Sequence, residues 1–344
     1  GRQPDWVVGT SIGAINAALI AGNPPKRRLE CIKTFWDRMS RPETGIAAGW
    51  SLPEAGLMLG ESFGSTLRSL QTMAFGLPGF FEPRGNAAFA FGLATDPTEA
   101  SFYNVAPLRE TLLELVDFDY LADSPVRLSV GAVDVESAQI HYFDSHQCRL
   151  GAEHILASGA LPPAFPPVQI DGRLYWDGGI YSNTPLDWIL HQPRIHSLCL
   201  FATLWQQVDH PPQTLSDVLR RSKEIQYSSR AESLIAIEQE LHQLRHAVNL
   251  LSYELADLNA QSPLRDLACL GCGSVFHLVY LQAPRLHGED HNKDIEFGSG
   301  RVAERWAAGL ADTRRALHEK PWEREKVARS EGIVVHDYSS ASAT

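Results

Sequence analysis

The chain has 344 residues, of which 44% are hydrophobic, and it carries a formal net charge of −11 at pH 7. That length and composition allow one large core, with or without a smaller appended unit. The acidic balance argues against a nucleic-acid partner, because binding to phosphates depends mainly on Lys and Arg. No apolar run approaches the roughly 20 residues that span a bilayer, and no targeting signal is visible. We therefore predict a globular, cytoplasmic protein.

The cysteines favour a reducing compartment, since the five are scattered and odd in number. Cys269 and Cys272 form one CxxC, but no partner motif completes a four-ligand zinc site. His242 and His246 are four residues apart on a predicted helix, again without a third ligand in the local pattern. The sequence therefore predicts no metal and no cofactor.

The predicted elements alternate between strands and helices. The chain opens with a strand at 6–8, a turn and a helix at 12–20, and a second helix covers about 29–39. The later elements are helices at 105–115 and 215–255 and strands at 126–133, 139–143, 174–176, 197–203 and 275–281. This interleaving indicates a layered α/β sheet.

An apolar seam runs along the predicted helix 215–255, with spacings of three and four residues. Its members are Leu234, Ile237, Leu241, Leu244, Val248, Leu251 and Leu255. Two interpretations stay open: a helix packed on the main domain or in a helical hairpin, and a homodimer through 234–255.

The residues Gly9-Thr10-Ser11-Ile12-Gly13 match the nucleophile elbow G-x-S-x-G, in which a strand turns sharply into a helix and exposes the serine. Val7 and Val8 favour the strand that this motif requires. A second copy surrounds Ser62, but no β-branched strand precedes it, so we interpret Ser62 as structural. The helix start beside Ser11 also offers backbone N–H groups for an oxyanion, that of Ile12 first.

A serine hydroxyl needs a base within hydrogen-bond reach. Asp177 ends a predicted strand, and Gly178 and Gly179 after it permit a close backbone approach. An ordinary turn before Gly-Gly is the alternative for this aspartate. Histidines offer another chemistry, a Ser-His-acid triad. The candidates are His141, His146, His154, His191 and His196.

Three patterns resemble those of patatin-like phospholipases, and they occur in the same order as in that family. They are the stretch from Gly9 to Asn16, the stretch from Ala157 to Val168, and Asp177-Gly178-Gly179 followed by Asn183 and Pro185. The resemblance covers about residues 5–200, and the chain after Thr203 is similar to the C-terminal extension of one bacterial branch.

The resemblance implies a three-layer α/β/α fold, with a catalytic domain at 1–205, a mainly helical extension at 206–330 and a flexible tail at 331–344. It also implies that the protein hydrolyses fatty-acyl esters of phospholipids or related lipids through a Ser-Asp dyad, without histidine or metal. Ser11 would be the nucleophile and Asp177 the base. Gly9, Ile12 and Gly13 would form the elbow and oxyanion site, supported by Gly178 and Gly179.

One feature of the family is missing, because nothing upstream of Gly9 matches its glycine-rich oxyanion loop. We therefore expect an N-terminal truncation. A non-catalytic scaffold that uses the 215–255 helix to bind a partner is the rival function.

The stretch 45–92 is rich in Gly, Phe and Leu and has no clear period. Its apolar residues include Trp50, Leu57, Phe63, Phe75, Phe80, Phe81, Phe89 and Phe91. They either line an acyl pocket or contact a lipid surface, which predicts peripheral membrane contact, or they pack in the core.

Overall fold

The structure, a computed structural model, divides into two compact units. The units are Gly1–Pro185 with Ile295–Val302, and Leu186–Asp294 with Ala303–Thr344. The described residues are 3–40, 72–85, 94–181, 185–192, 196–205, 211–254, 264–284, 286, 293–324 and 332–338.

The first unit combines β-sheet and helices, as predicted. Its strands are β1 (Trp6–Thr10), β2 (Glu82–Pro83), β3 (Tyr103–Asn104), β4 (Arg127–Asp134), β5 (Ile140–Asp144), β6 (Val168–Ile170) and β7 (Arg173–Asp177). Its helices are α1 (Ile12–Ala21), α2 (Pro25–Met39), α3 (Ala106–Leu115), α4 (Phe118–Ala122) and α5 (Ala152–Ser158). The predicted strand–turn–helix at the start of the chain is therefore confirmed.

Strand β4 organises the main sheet because three strands pair with it. β1 runs parallel to β4 and ends with Thr10 opposite Gly131. β7 runs antiparallel to β4 and ends with Asp177 opposite Ala132. β5 also pairs with Gly131 and Ala132, so β5 occupies one edge of β4 while β1 and β7 share the other. The carboxyl ends of β1 and β7 therefore meet head to head along one edge of β4.

The core of this unit lies between the sheet and its helices. Small side chains such as Ala14 and Ala18 are fully buried in α1, and they let that helix approach the sheet closely. The large side chains of this core that are least exposed are Ile15, Leu19, Phe35, Met39, Leu77, Leu112, Leu121, Leu128 and Ile155. This packing fixes the β1–α1 junction, which carries Ser11.

Phe80 and Phe81 pack in this core rather than facing a lipid surface. Phe81 is 9% exposed, and its ring centroid lies 4.8 Å from that of Tyr103 and 5.4 Å from that of Phe165. Phe80 packs against the same aromatic group, 6.0 Å from Phe165. The lipid-facing interpretation is therefore wrong for these two residues. Of the other residues in that prediction, Phe75 is exposed, and Trp50, Leu57, Phe63, Phe89 and Phe91 lie outside the described residues.

The chain from Leu186 onward is mainly helical, as predicted, and it also contains a parallel sheet. Its helices are α6 (Leu186–Leu190), α7 (Leu215–Glu254), α8 (Leu264–Ala268), α9 (Ser299–Glu319) and α10 (Pro321–Arg324). Its strands are β8 (His196–Thr203), β9 (Val275–Gln282) and β10 (Ile333–Asp337), with β9 in the middle.

Two predicted boundaries need correction. The first was placed at 205, but β8 pairs along its whole length with β9, so residues 186–205 belong to the second unit. The second was a flexible tail at 331–344. Residues 333–337 instead form β10, because the β-branched Ile333, Val334 and Val335 pair with β9, and Ile333 is only 5% exposed.

Only part of the apolar seam lies on the packed face of the long helix, where Leu234 packs against the core of the second unit and Leu241 and Val248 are half-buried. Ile237, Leu244 and Leu251 are 61%, 66% and 59% exposed, whereas Glu238 and His242 are buried. The interpretation of the seam as the packed face is therefore wrong for these three residues, and Leu255 lies outside the described residues. A homodimer through 234–255 stays a prediction, which light scattering tests.

Within the described residues, no helix is both long enough and apolar enough to cross a membrane.

Candidate active site

Ser11 occupies a strained turn between β1 and α1. Its φ is 57° and its ψ is −127°, a conformation that non-glycine residues rarely adopt. The turn is so tight that a Cβ on Gly9 would lie 2.2 Å from the carbonyl oxygen of Gly13. A Cβ on Gly13 would meet nothing within 4 Å. Gly9 is thus required for the turn itself, whereas Gly13 borders open space beside the serine.

Ser158, at the end of α5, holds this strained turn in place. The Ser11 N–H donates to both the carbonyl oxygen and the Oγ of Ser158, each at 3.1 Å. The Ser158 Oγ in turn donates to the Gly131 carbonyl at 2.6 Å, and Ser158 is fully buried. Sequence reasoning included Ser158 in the stretch 157–168 without assigning it a role. These contacts join residues 147 positions apart, which no local pattern reveals.

Asp177 lies where β7 ends, and several contacts fix its position. Its N–H donates to the Ala160 carbonyl at 3.0 Å, and its Oδ1 accepts the N–H of Gly179 at 2.7 Å. A Cβ on Gly178 would lie 2.6 Å from the Gly131 oxygen, so this position requires glycine. The Ser11 side chain is close enough to the Asp177 carboxylate to act on its pKa, which this interaction lowers. The structure therefore brings together the two residues that the sequence singled out.

The environment of Asp177 suits proton exchange near neutral pH. The residue is 2% exposed, and burial raises the pKa of its carboxyl from 3.8 to about 6. Hydrogen bonds from Ser11 and from the Gly179 N–H act in the opposite direction. The carboxylate is therefore mostly ionised at pH 7, while its basicity exceeds that of an ordinary aspartate.

The start of α1 faces the same place. The first N–H groups of a helix have no acceptor within the helix, and the helix dipole is positive there. In α1 the N–H groups of Ala14 and Ile15 bond to the Ser11 carbonyl, and the Ser11 N–H is engaged by Ser158. The N–H groups of Ile12 and Gly13 are therefore the ones placed for a developing oxyanion.

The five candidate histidines make their contacts elsewhere. His141 packs against Phe143, and the electrostatic partners that affect its pKa are Asp134 and Arg173. His154 accepts the Gly151 N–H, and burial lowers its pKa. The remaining three, His146, His191 and His196, lie on a turn, after α6 and at the start of β8. Among the described residues, no hydrogen bond of these histidines reaches Ser11 or Asp177.

Four apolar side chains surround the Ser11–Asp177 pair along the chain, and all of them are exposed. Ile12 follows Ser11, Leu161 follows the carbonyl that binds Asp177, and Ile180 and Tyr181 follow Gly179. Their exposed fractions are 38%, 40%, 42% and 52%. We call these four residues the apolar rim. They are exposed hydrophobic residues that are close in sequence to the residues of the dyad or to a residue that binds it.

Other predicted positions belong to the second unit or lie outside the described residues. Cys269 and Cys272 carry free thiols in the second unit. No group of three or more His, Cys, Asp or Glu side chains suited to a metal ion occurs among the residues that the structure describes. Ser62 and Asn183 lie outside those residues.

Comparisons with known families agree with this geometry. The model for patatin-like phospholipases matches residues 1–188, which is more than half of the chain. This protein belongs to the patatin-like phospholipase family. A second model, described as patatin phospholipase, matches residues 225–329 in the extension. The resemblance of both regions and the patatin-like α/β fold class are thereby confirmed.

One solved structure extends the comparison of this patatin-like chain. The crystal structure of VipD from Legionella pneumophila matches 89% of the chain and 61% of VipD, with 14% sequence identity and a TM-score of 0.30. The chain thus spans less than two thirds of VipD, and a likeness of this size supports no conclusion about activity. A comparison with curated proteins gives no match.

Proposed function

We propose that this patatin-like protein cleaves fatty-acyl ester bonds of phospholipids or related lipids by acyl transfer to Ser11, with Asp177 as the only base. The observation that carries the proposal is that the ends of β1 and β7 meet on β4, which brings the Ser11 side chain close enough to the buried Asp177 carboxylate to affect its pKa. The strained turn at Ser11 and the free N–H groups of α1 support it.

The proposed reaction has two halves. In the first, an Asp177 oxygen takes the Ser11 proton while Oγ attacks the ester carbonyl carbon. The N–H groups of Ile12 and Gly13 stabilise the oxyanion, and the proton passes from Asp177 to the departing alcohol. In the second half, Asp177 takes a proton from water, the hydroxide attacks the acyl-serine, and Ser11 recovers a proton as the fatty acid leaves.

The apolar rim supports a lipid substrate. Ile12, Leu161, Ile180 and Tyr181 are exposed, and they lie in the chain segments that carry Ser11, the Ala160 carbonyl and Gly179. Such surface matches an acyl chain better than a polar ester, because burying it against a hydrocarbon releases water from both surfaces. We propose that any peripheral contact with a lipid surface occurs through this rim, and not through Phe80 and Phe81.

Covalent labelling with a fluorophosphonate probe tests the proposed dyad. The full chain should be labelled, whereas Ser11→Ala and Asp177→Asn should each reduce the labelling rate by about 10³-fold or more. Ser62→Ala is the matched control, because it changes the other G-x-S-x-G copy and should label normally.

The same experiment separates the rival functions. Loss of labelling in His141→Gln or His154→Gln, with folding intact, would replace the dyad with a histidine-dependent esterase. A folded chain that never labels would favour the non-catalytic scaffold. Both rivals lack a supporting contact at Ser11 among the described residues.

A further inference from the structure

A cavity of about 660 Å³ lies within the second unit, and neither family membership nor the proposed reaction uses it. Its walls come from the end of α6, from one turn of α7 and from the loop 269–274. The residues that matter are His191 and Gln192 after α6, His242 and Arg245 on α7, and the loop residues Cys272 and Ser274. The volume is that of a site for a small organic ligand.

The loop wall is held firmly on α7. The Cys272 N–H donates to the Arg245 carbonyl at 3.1 Å, and the His246 Nε2 lies 2.7 Å from the Ser274 carbonyl. A Cβ on Gly271 would come within 2.9 Å of the backbone of Asn249, so the loop also touches the helix directly. These contacts preorganise the cavity wall before any ligand arrives.

The charge of the cavity opposes that of the protein. The chain has 41 acidic residues and a net charge of −11, yet no Asp or Glu is among the described residues that line the cavity. Arg245 lines the cavity, and its side chain has no hydrogen bond or ion pair with any described residue. An arginine presents five N–H donors in a fixed fork that matches oxyanions.

Among the described residues that line the cavity, Arg245 carries the permanent positive charge. His242 is 1% exposed, and burial, together with the positive charge of Arg245, lowers its pKa, against an opposing effect of the Leu190 carbonyl. It is therefore neutral at pH 7. The His191 Nδ1 lies 2.7 Å from the Asp187 carbonyl, and its Nε2 lies 4.0 Å from Glu238, an acid outside the cavity lining.

We propose that this cavity is a binding site for a phosphate group, with Arg245 as its anchor. Donors stand on different walls, Arg245 on α7 and the Gln192 amide after α6. A phosphate has oxygens in tetrahedral directions and reaches both, whereas the two coplanar oxygens of a carboxylate are satisfied by the arginine fork alone. The phosphate is either free or part of a lipid headgroup.

Calorimetric titration of the full chain tests this site and distinguishes the two sources. The probes are inorganic phosphate, glycerol 3-phosphate as a headgroup fragment, and octanoate as a carboxylate, all at matched ionic strength. Wild type should bind phosphate saturably. Arg245→Gln should weaken that binding by about tenfold or more. Arg230→Gln removes an exposed positive charge from the same helix and should leave it unchanged.

Each outcome decides something. Tighter binding of glycerol 3-phosphate than of phosphate identifies a headgroup site, and equal binding identifies a site for free phosphate. Equal weakening in both arginine variants, no saturable binding of either phosphate, or binding of octanoate alone overturns the proposal. If Arg245→Gln fails to fold, Arg245→Lys keeps the charge without the fork and should bind phosphate several-fold more weakly than wild type. The titration does not involve Ser11, so its result is independent of the proposed hydrolysis.

Discussion

Two buried aspartates flank β4, and they behave in opposite ways. Asp144, at the end of β5, is fully buried and bonds to the Arg127 guanidinium, the Ser129 hydroxyl and the His146 N–H. Burial acts to raise its pKa, but these partners bring the pKa below its ordinary value. Asp177, at the end of β7, is buried to a similar degree, and burial raises its pKa to about 6 because, among the described residues, the Ser11 side chain and the Gly179 N–H are the groups that oppose it.

The difference shows that partners, and not burial alone, decide what a buried carboxylate does. Asp144 has a cation that neutralises it, so it stays ionised and joins two strands. Asp177 has no cation among these contacts, so its charged form is costly and its proton is exchangeable near neutral pH. The contacts of Asp177 suit proton transfer because, unlike those of Asp144, they do not include an arginine.

The same substitution at both positions should have opposite effects on stability. Asp144→Asn should lower the free energy of unfolding by about 3 kcal/mol or more, because it leaves the largely buried Arg127 without its counter-charge. Chemical denaturation at pH 7 measures this. Since the folded-state pKa of Asp144 is lowered, the deficit should shrink as the pH falls below about 4. A change below about 0.5 kcal/mol would show that the pair is dispensable.

Asp177→Asn should instead stabilise the fold at pH 8. The rise in the pKa of Asp177 from 3.8 to about 6 sets an upper limit of about 3 kcal/mol on the gain in the free energy of unfolding. Asparagine removes the charge and can still accept the Gly179 N–H. Because the folded-state pKa of Asp177 is raised, the free energy of unfolding of the wild type falls as the pH rises through 6. The variant should therefore gain most above pH 7 and little near pH 4, in the same denaturation experiment. Equal stability of wild type and variant at both pH values contradicts this view of Asp177.

Much of the first unit could be predicted from the sequence. Val7 and Val8 marked the strand, Gly9 marked the turn, and the alanines of α1 marked a helix that approaches a sheet. These are local signals, so a local pattern captured them. The elements β2, β3, β6, α4 and α5 of this unit are short, and they were not predicted.

What the sequence hid were the contacts between distant residues. The contact of Ser158 with Ser11 depends on where the end of α5 packs, and the pairing of Asp144 with Arg127 depends on the register between β4 and β5. The long helix misled for a related reason. Hydrophobic spacing predicts an apolar packed face, whereas α7 buries Glu238 and His242 and exposes Leu244. Asp177 was found through its family pattern, and its role as base remains a proposal.

The pH dependence of acyl-ester hydrolysis tests the central claim most directly. With Asp177 as the only base, kcat/KM for a soluble ester should be level at pH 7–8 and fall about tenfold per unit below an apparent pKa of about 6. His141→Gln and His146→Gln should leave this profile unchanged. A limb that disappears in either histidine variant, or activity that persists in Asp177→Asn at the wild-type level, would contradict the account.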